Sequence, residues 1–357
     1  MRRNAALLTA PLAALTCGAG LVLAAPAHAA SWRNVASGAL AYDGALDRVD
    51  FADRNTGWAV GSEGNLLGAK ARILRWTGKG WSRQTSPVGF TPTDVAVANA
   101  KRAWIVGFSP LPVSLHWNGS GWTKAAYPGF ALPSQVAAAP DGTAYSLASV
   151  NANAGGIGRV MRWTGSAWAD AKVPLPPPSA VTAVDVRSRK DVWLAGTTST
   201  GTAVTGFALH YNGSAWKRMA LPGSMGTTAY QAVPHRIVAL SARNVYVLRN
   251  RQNAQVSNAL LHWNGSAWRT VATPSNAAGI GLSSDGRGGV VMLPVTTGGR
   301  TRYMHYNGAK WTTVNGPSRT GQAQAGDLDH RPGTAGIVSV GTASASAKRH
   351  PFIEYFG

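Results

Sequence analysis

Acidic side chains are scarce in this chain, 14 against 34 Lys and Arg, and only two of them are glutamates, Glu63 and Glu354. Their placement is therefore informative. Asp47, Asp94 and Asp327 each stand near the start of a segment that opens a sequence repeat, in what would be the first, second and seventh units of a ring. Gathered at one mouth, three carboxylates would supply an acid and a base for polymer cleavage, or hold a divalent metal. The competing reading gives them hydrogen bonds to local turn backbone, and it is the favoured one. Asp329 and His330 in "DLDHRPG" add no diagnostic spacing.

A second set is cationic. Lys70, Arg72, Arg249, Arg251, Arg300, Arg302, Lys348 and Arg349 fall in long, variable connections otherwise rich in Ser, Thr, Asn and Gly. On one rim they would make it positive, which suits a polyanion. A third set repeats: Arg75, His116, Arg162, His210, His262 and His305 occupy one position of successive units, with Glu354 aligned to them at the end. Four such histidines invite a metal-ring reading. Each belongs to a different sheet, however, and stacked sheets lie about 10 Å apart, whereas Zn–N bonds are about 2.0 Å. Packing is the expected role, and neither metal nor cofactor is expected.

The elements that must position these residues are legible as a repeat. "LLHWNGSAWRTV" (Leu260 to Val271) recurs as "LRWTGKGW", "LHWNGSGW", "MRWTGSAW", "LHYNGSAW" and "MHYNGAKW", and the 230 residues from Trp76 to Tyr306 make five intervals of about 46. A second motif precedes most copies, as in "NTGWAVG", "KRAWIVG" and "RKDVWLAG". Each period holds four short apolar runs, and this is the signature of a propeller blade. Asn-Gly supplies a tight hairpin turn. A four-residue loop would set Trp268 opposite Trp263, for packing against the neighbouring blade in preference to stacking on a sugar.

The closing blade is split. "PFIEYFG" at the C-terminus aligns with "LHWNG", and Ala30-Ser31-Trp32-Arg33 aligns with the "SAWR" that should follow. The expectation is an all-β, seven-bladed β-propeller of four-stranded antiparallel blades, residues 30–357, its last blade completed by the strand at Trp32. Ring closure removes open sheet edges.

The repeat "S-x-x-D-V-W-x-x-G … L-H-W-N-G-S-x-W" resembles blades of secreted bacterial propellers of WD40-like, kelch or galactose-oxidase-like, and sialidase Asp-box-like type. No one of these families is matched. The chain lacks the Trp-Asp ending of WD40 blades and the aspartate turn of an Asp-box. Copper-radical chemistry of the galactose-oxidase type needs a cysteine, and the only one, Cys17, precedes the repeats.

Residues 1–29 read as a secretion signal: Arg2 and Arg3, an apolar run, then Ala27-His28-Ala29. An uncleaved anchor is the alternative, disfavoured by Pro11, Gly18 and Gly20. Charged residues make up only 13%, with 42 Gly, 20 Pro, 14 Trp and a formal net charge of +20, against a typical ~25% charged. That balance fits many short strands and a polyanionic partner. No phosphate-cradling motif supports nucleotide chemistry, and no nucleic acid or membrane partner is expected after export. The expected function is a secreted monomeric binding module for an extracellular or cell-wall polysaccharide or polyanion, held by the variable loops. The alternatives are a hydrolase or lyase on such a polymer, and a structural or protein-interaction scaffold.

Overall fold

The turn at Asn264 shows how the sequence builds each blade. Gly265 takes φ +96, a backbone region that costs glycine nothing. Asn264 stays out of that region and contributes its side chain: Oδ1 accepts from the Ser266 and Ala267 amides and from Ser266 Oγ, at 2.8 to 3.0 Å. The loop has four residues, and Trp263 pairs directly with Trp268. The same aromatic pairing recurs in all seven blades: Trp76 with Trp81, Trp117 with Trp122, Trp163 with Trp168, Tyr211 with Trp216, Tyr306 with Trp311, and Phe356 with Trp32.

The computed structural model describes residues 30–64, 70–129, 132–149, 158–252, 256–346 and 348–357. The expected signal and Cys17, with parts of five variable loops, lie outside them. The described chain forms seven four-stranded antiparallel sheets. Strands A to D run outward from the axis. The innermost are Gly44–Asp53, Thr91–Asn99, Leu132–Ala138, Ser179–Ser188, Ala232–Ser241, Gly279–Ser284 and Gln322–His330. Trp32–Asn34 completes the seventh sheet by pairing with Lys348–Phe356. A–B and C–D turns share one face, the turn face. B–C and D–A connections share the other, the loop face.

The closing blade departs from the expected alignment. Because Phe356 pairs with Trp32, the residue at the histidine position of blade seven is Tyr355 and not Glu354. Glu354 takes the inward position that Leu74, Leu115, Leu209 and Leu261 hold elsewhere. It is fully buried, held by Thr301 at 2.9 Å and by Tyr303 and Arg319. The paired aromatic of this blade is therefore Phe356, one residue beyond the tyrosine aligned to it.

The core lies between blades. Trp58 of blade one sits 4.9 and 4.7 Å from Trp117 and Trp122 of blade two, and Trp104 of blade two sits 5.8 and 6.4 Å from Trp163 and Trp168 of blade three. Tyr145, Trp193 and Tyr246 fill the equivalent places in the next three blades. The repeated cations and histidines cover these rings: Arg75 lies over Trp58 and Trp117, and His210 stacks on Trp193 at 4.1 Å. Each is on its own blade. Trp104→Ala should cost about 3–5 kcal/mol, measured by denaturant unfolding. A loss below about 1 kcal/mol would show that the rings do not carry the inter-blade contact.

Candidate functional site

Near its loop-face end every inner strand skips one residue in its pairing with strand B. The skipped residues are Asp47, Thr93, Ser134, Thr182, His235, Ile280 and Gly326. Those that follow, Arg48, Asp94, Gln135, Ala183, Arg236, Gly281 and Asp327, form one layer around the channel. Asp94 and Asp327 are therefore equivalent, and Asp47 is not: Arg48 takes the place it was aligned to.

This layer pairs opposite charges. Arg48 Nε is 3.9 Å from Asp94 Oδ1, and its Nη1 donates to Asp47 O at 2.8 Å and Gly326 O at 3.3 Å. Arg236 is the second cation, facing Asp94 and Asp327 electrostatically. Gln135 Nε2 donates to Thr182 O at 2.7 Å and His235 O at 3.2 Å. Burial, then Arg236 and Arg48, push His235 down to about 3, so it is neutral near pH 7. Sequence reasoning missed Arg48, Arg236 and His235, because only the bulge reveals which residues face the axis.

The channel carboxylates are tied to the adjoining blade. Inner-strand N–H groups have no fifth strand to pair with, and a buried N–H needs an acceptor. Asp50 Oδ2 accepts from Val97 N at 2.5 Å, Asp94 Oδ2 from Val136 N at 2.9 Å, and Asp185 Oδ2 from Ala239 N at 2.6 Å. Asp327 Oδ2 accepts from Val49 N at 3.3 Å, and Asp329 from Phe51 N at 2.9 Å and Ser283 Oγ at 2.8 Å. Asp94 Oδ1 and Asp185 Oδ1 also accept locally, from Val95 N at 3.0 Å and Val186 N at 2.8 Å, so the local hydrogen bond expected at Asp94 is joined by one that spans blades. Burial is the largest cause raising all of them, with Asp94 and Asp185 pushed up to about 6. Asp50 rises to about 7, raised further by the charges of Asp94 and Asp327 and opposed by its hydrogen bonds to Val97 N and Asp329, while Asp329 is raised well above its ordinary value, after burial by the charge of Asp50. Asp47 is raised by burial, opposed by Arg48 and Arg349.

The expected cations separate. Lys70, Arg251, Arg300, Arg302, Lys348 and Arg349 are exposed at B–C ends of blades five, six, seven and one, which are consecutive around the ring. Arg349 also reaches Gly64 O at 3.2 Å. Arg72 is bound to Glu63 and lies 5.3 Å from the Tyr42 ring. Arg249 is not on the surface: it is 6% exposed and donates to Pro222 O at 3.4 Å. The parity of its strand turns it inward against blade four.

Beside this arc the loop face holds two adjoining depressions of about 270 and 370 Å³. The inner one starts at Gln135 and His235. The outer one runs between blades four and five past Thr198, Ser199 and Thr228, and Thr182 and Gln252 line both. Together they form a neutral, hydroxyl- and amide-lined trough from the channel mouth to the blade that carries Arg251.

No protein-family model and no curated protein matches the chain. Solved structures do. The polysaccharide lyase Uly1 is 11% identical with a TM-score of 0.62, covering 91% of this chain and 92% of that one. The GH74 xyloglucanase from Xanthomonas campestris is 15% identical at 0.57, covering 90% of this chain and 55% of that one. YCF48 bound to D1 peptide is 15% identical at 0.58, covering 91% and 97%. At such identities the likeness is one of fold, and propellers of WD40 type share it.

Raised carboxylates reverse the usual acid dependence. Asp50 would ionise at its ordinary 3.8 in the unfolded chain and at about 7 in the folded one. Its favourable contribution is thus complete below about pH 4 and is lost as pH rises towards 7. His235 and His262, lowered to about 3 and 4, work the other way, adding stability as pH rises towards 6.5. Asp50→Asn isolates the carboxylate. Its Tm relative to the parent protein should become more favourable from pH 5 to pH 8 by several degrees; a difference flat with pH would contradict the assignment.

Proposed function

We propose that the protein is a secreted binding module that holds an extracellular anionic polysaccharide across its loop face. The observation that carries this reading is the trough opening beside the basic arc. Neutral hydroxyl and amide groups suit the hydroxyls of a sugar chain, and an adjacent row of exposed Arg and Lys suits its acid groups. Commitment of the channel carboxylates to inter-blade N–H groups supports binding over cleavage, since an acid already accepting a buried N–H is poorly placed to accept a substrate's proton. Solved propellers of similar fold include a polysaccharide lyase and a xyloglucanase, and also a peptide-bound protein.

The test is retention on immobilised alginate against neutral dextran. At low salt the protein should be retained by alginate, and the interaction should fall steeply as ionic strength rises through about 0.15 M. Arg300→Ala combined with Arg302→Ala should weaken it about three- to tenfold, because surface charge pairs contribute up to about 1 kcal/mol each. Absence of binding at low salt, or binding indifferent to both salt and substitution, would refute the reading. Release of new reducing or unsaturated ends from the bound polymer would put a lyase or hydrolase in its place.

A further inference from the structure

Six of the seven seats between blades are filled by a side chain, and the seventh is open. The seat is the gap before each outer aromatic pair, filled from strand B of the preceding blade by Trp58, Trp104, Tyr145, Trp193 or Tyr246. Blade six has Val291 at that position, and there Tyr303 fills the space, stacked on Trp32 at 3.5 Å. Blade seven has Val338, which pairs with Tyr355 as Trp58 pairs with Arg75. Among the described residues no side chain replaces the missing ring. A cavity of about 320 Å³ remains between blades seven and one, lined by Trp76, Trp81, Tyr355, Val338, Arg33 and Arg331 among others.

The lining has two cations and no Asp or Glu. Arg331 lies 4.9 Å from the Trp76 ring centre and 5.5 Å from that of Tyr355, and Arg33 lies 4.6 Å from Tyr355. Arg331 Nη2 donates to Arg54 O at 2.7 Å and Arg33 Nη1 to Gly357 O at 3.0 Å, which fixes both guanidinium groups, while the buried Arg331 Nε has no partner among the described residues. An orphaned buried donor of this kind costs free energy until an acceptor arrives. The volume is that of a small-ligand site and too small for a folded partner's element. The opening is on the turn face, away from the trough.

We propose that this seat binds one carboxylated sugar ring, a uronic-acid residue. The aromatic rings take its C–H face, and Arg331 and Arg33 take its carboxylate, a geometry that a planar guanidinium serves better than a lysine. The site is independent of the loop-face reading and stands or falls without it.

Calorimetric titration of the intact protein with glucuronate, glucose, benzoate and inorganic phosphate tests it. Glucuronate should bind at least about tenfold more tightly than each of the others, and Arg331→Gln should weaken it about tenfold or more, as loss of a charge-assisted hydrogen bond does. Val338→Trp restores the ring that Trp58 supplies between blades one and two. It should abolish glucuronate binding while keeping or raising Tm. Arg300→Ala with Arg302→Ala should leave glucuronate affinity unchanged. No heat with glucuronate at tens of millimolar, equal binding of phosphate, benzoate or glucose, or full affinity in a folded Val338→Trp variant would overturn the proposal.

Discussion

A four-stranded blade is apolar on both faces, and no blade of this size can cover both by itself. The constraint met throughout is therefore a seat between neighbours, in which an aromatic on strand B of one blade enters the gap before the aromatic pair of the next. Five blades meet it with Trp or Tyr on strand B. The seat before blade seven is filled from strand C, and the seat before blade one is left open. The repeated tryptophans, which look like ligand contacts when a single copy is read alone, are consumed by this packing. Among the described residues, the seat that lacks its ring retains free aromatic surface beside one unsatisfied cationic donor, Arg331 Nε.

Along the axis a second requirement operates. The inner strands present N–H groups with no further strand to receive them, and acids of the preceding blade accept them. Five of the chain's few carboxylates are used in this way. This explains why burial is tolerated at Asp50, Asp94, Asp185, Asp327 and Asp329 although it raises all of them, and it removes most of the basis for assigning them catalysis. Functional capacity is displaced to the rims, where the B–C and D–A connections vary from blade to blade while the short turns opposite do not.

The repeat made the architecture legible: period, turn, paired aromatics and the split closing blade all follow from local pattern. What was not legible depends on register or on a partner distant in sequence. A one-residue bulge in each inner strand moves Asp47 out of line with Asp94 and Asp327 and brings Arg48 and Arg236 into the channel. The pairing of Phe356 with Trp32 moves Glu354 from the histidine position to the inward, fully buried one. Arg249 looks like a rim cation in a polar loop, but strand parity turns it inward. The open seat at Val338 is visible in the sequence only once Val338 is known to stand where Trp58 stands in blade one.

The loop face as the binding face is the central functional claim, and it is separable from the identity of any one ligand. Hydrogen–deuterium exchange of the protein with and without alginate at low salt tests it most directly. The account predicts slowed exchange in the segments around Arg251, Arg300 and Lys348 and along the trough near Thr198, with little change at the turns around Gly213 and Gly265. Protection confined to those turns, or no protection of the basic arc in alginate-bound protein, would contradict it.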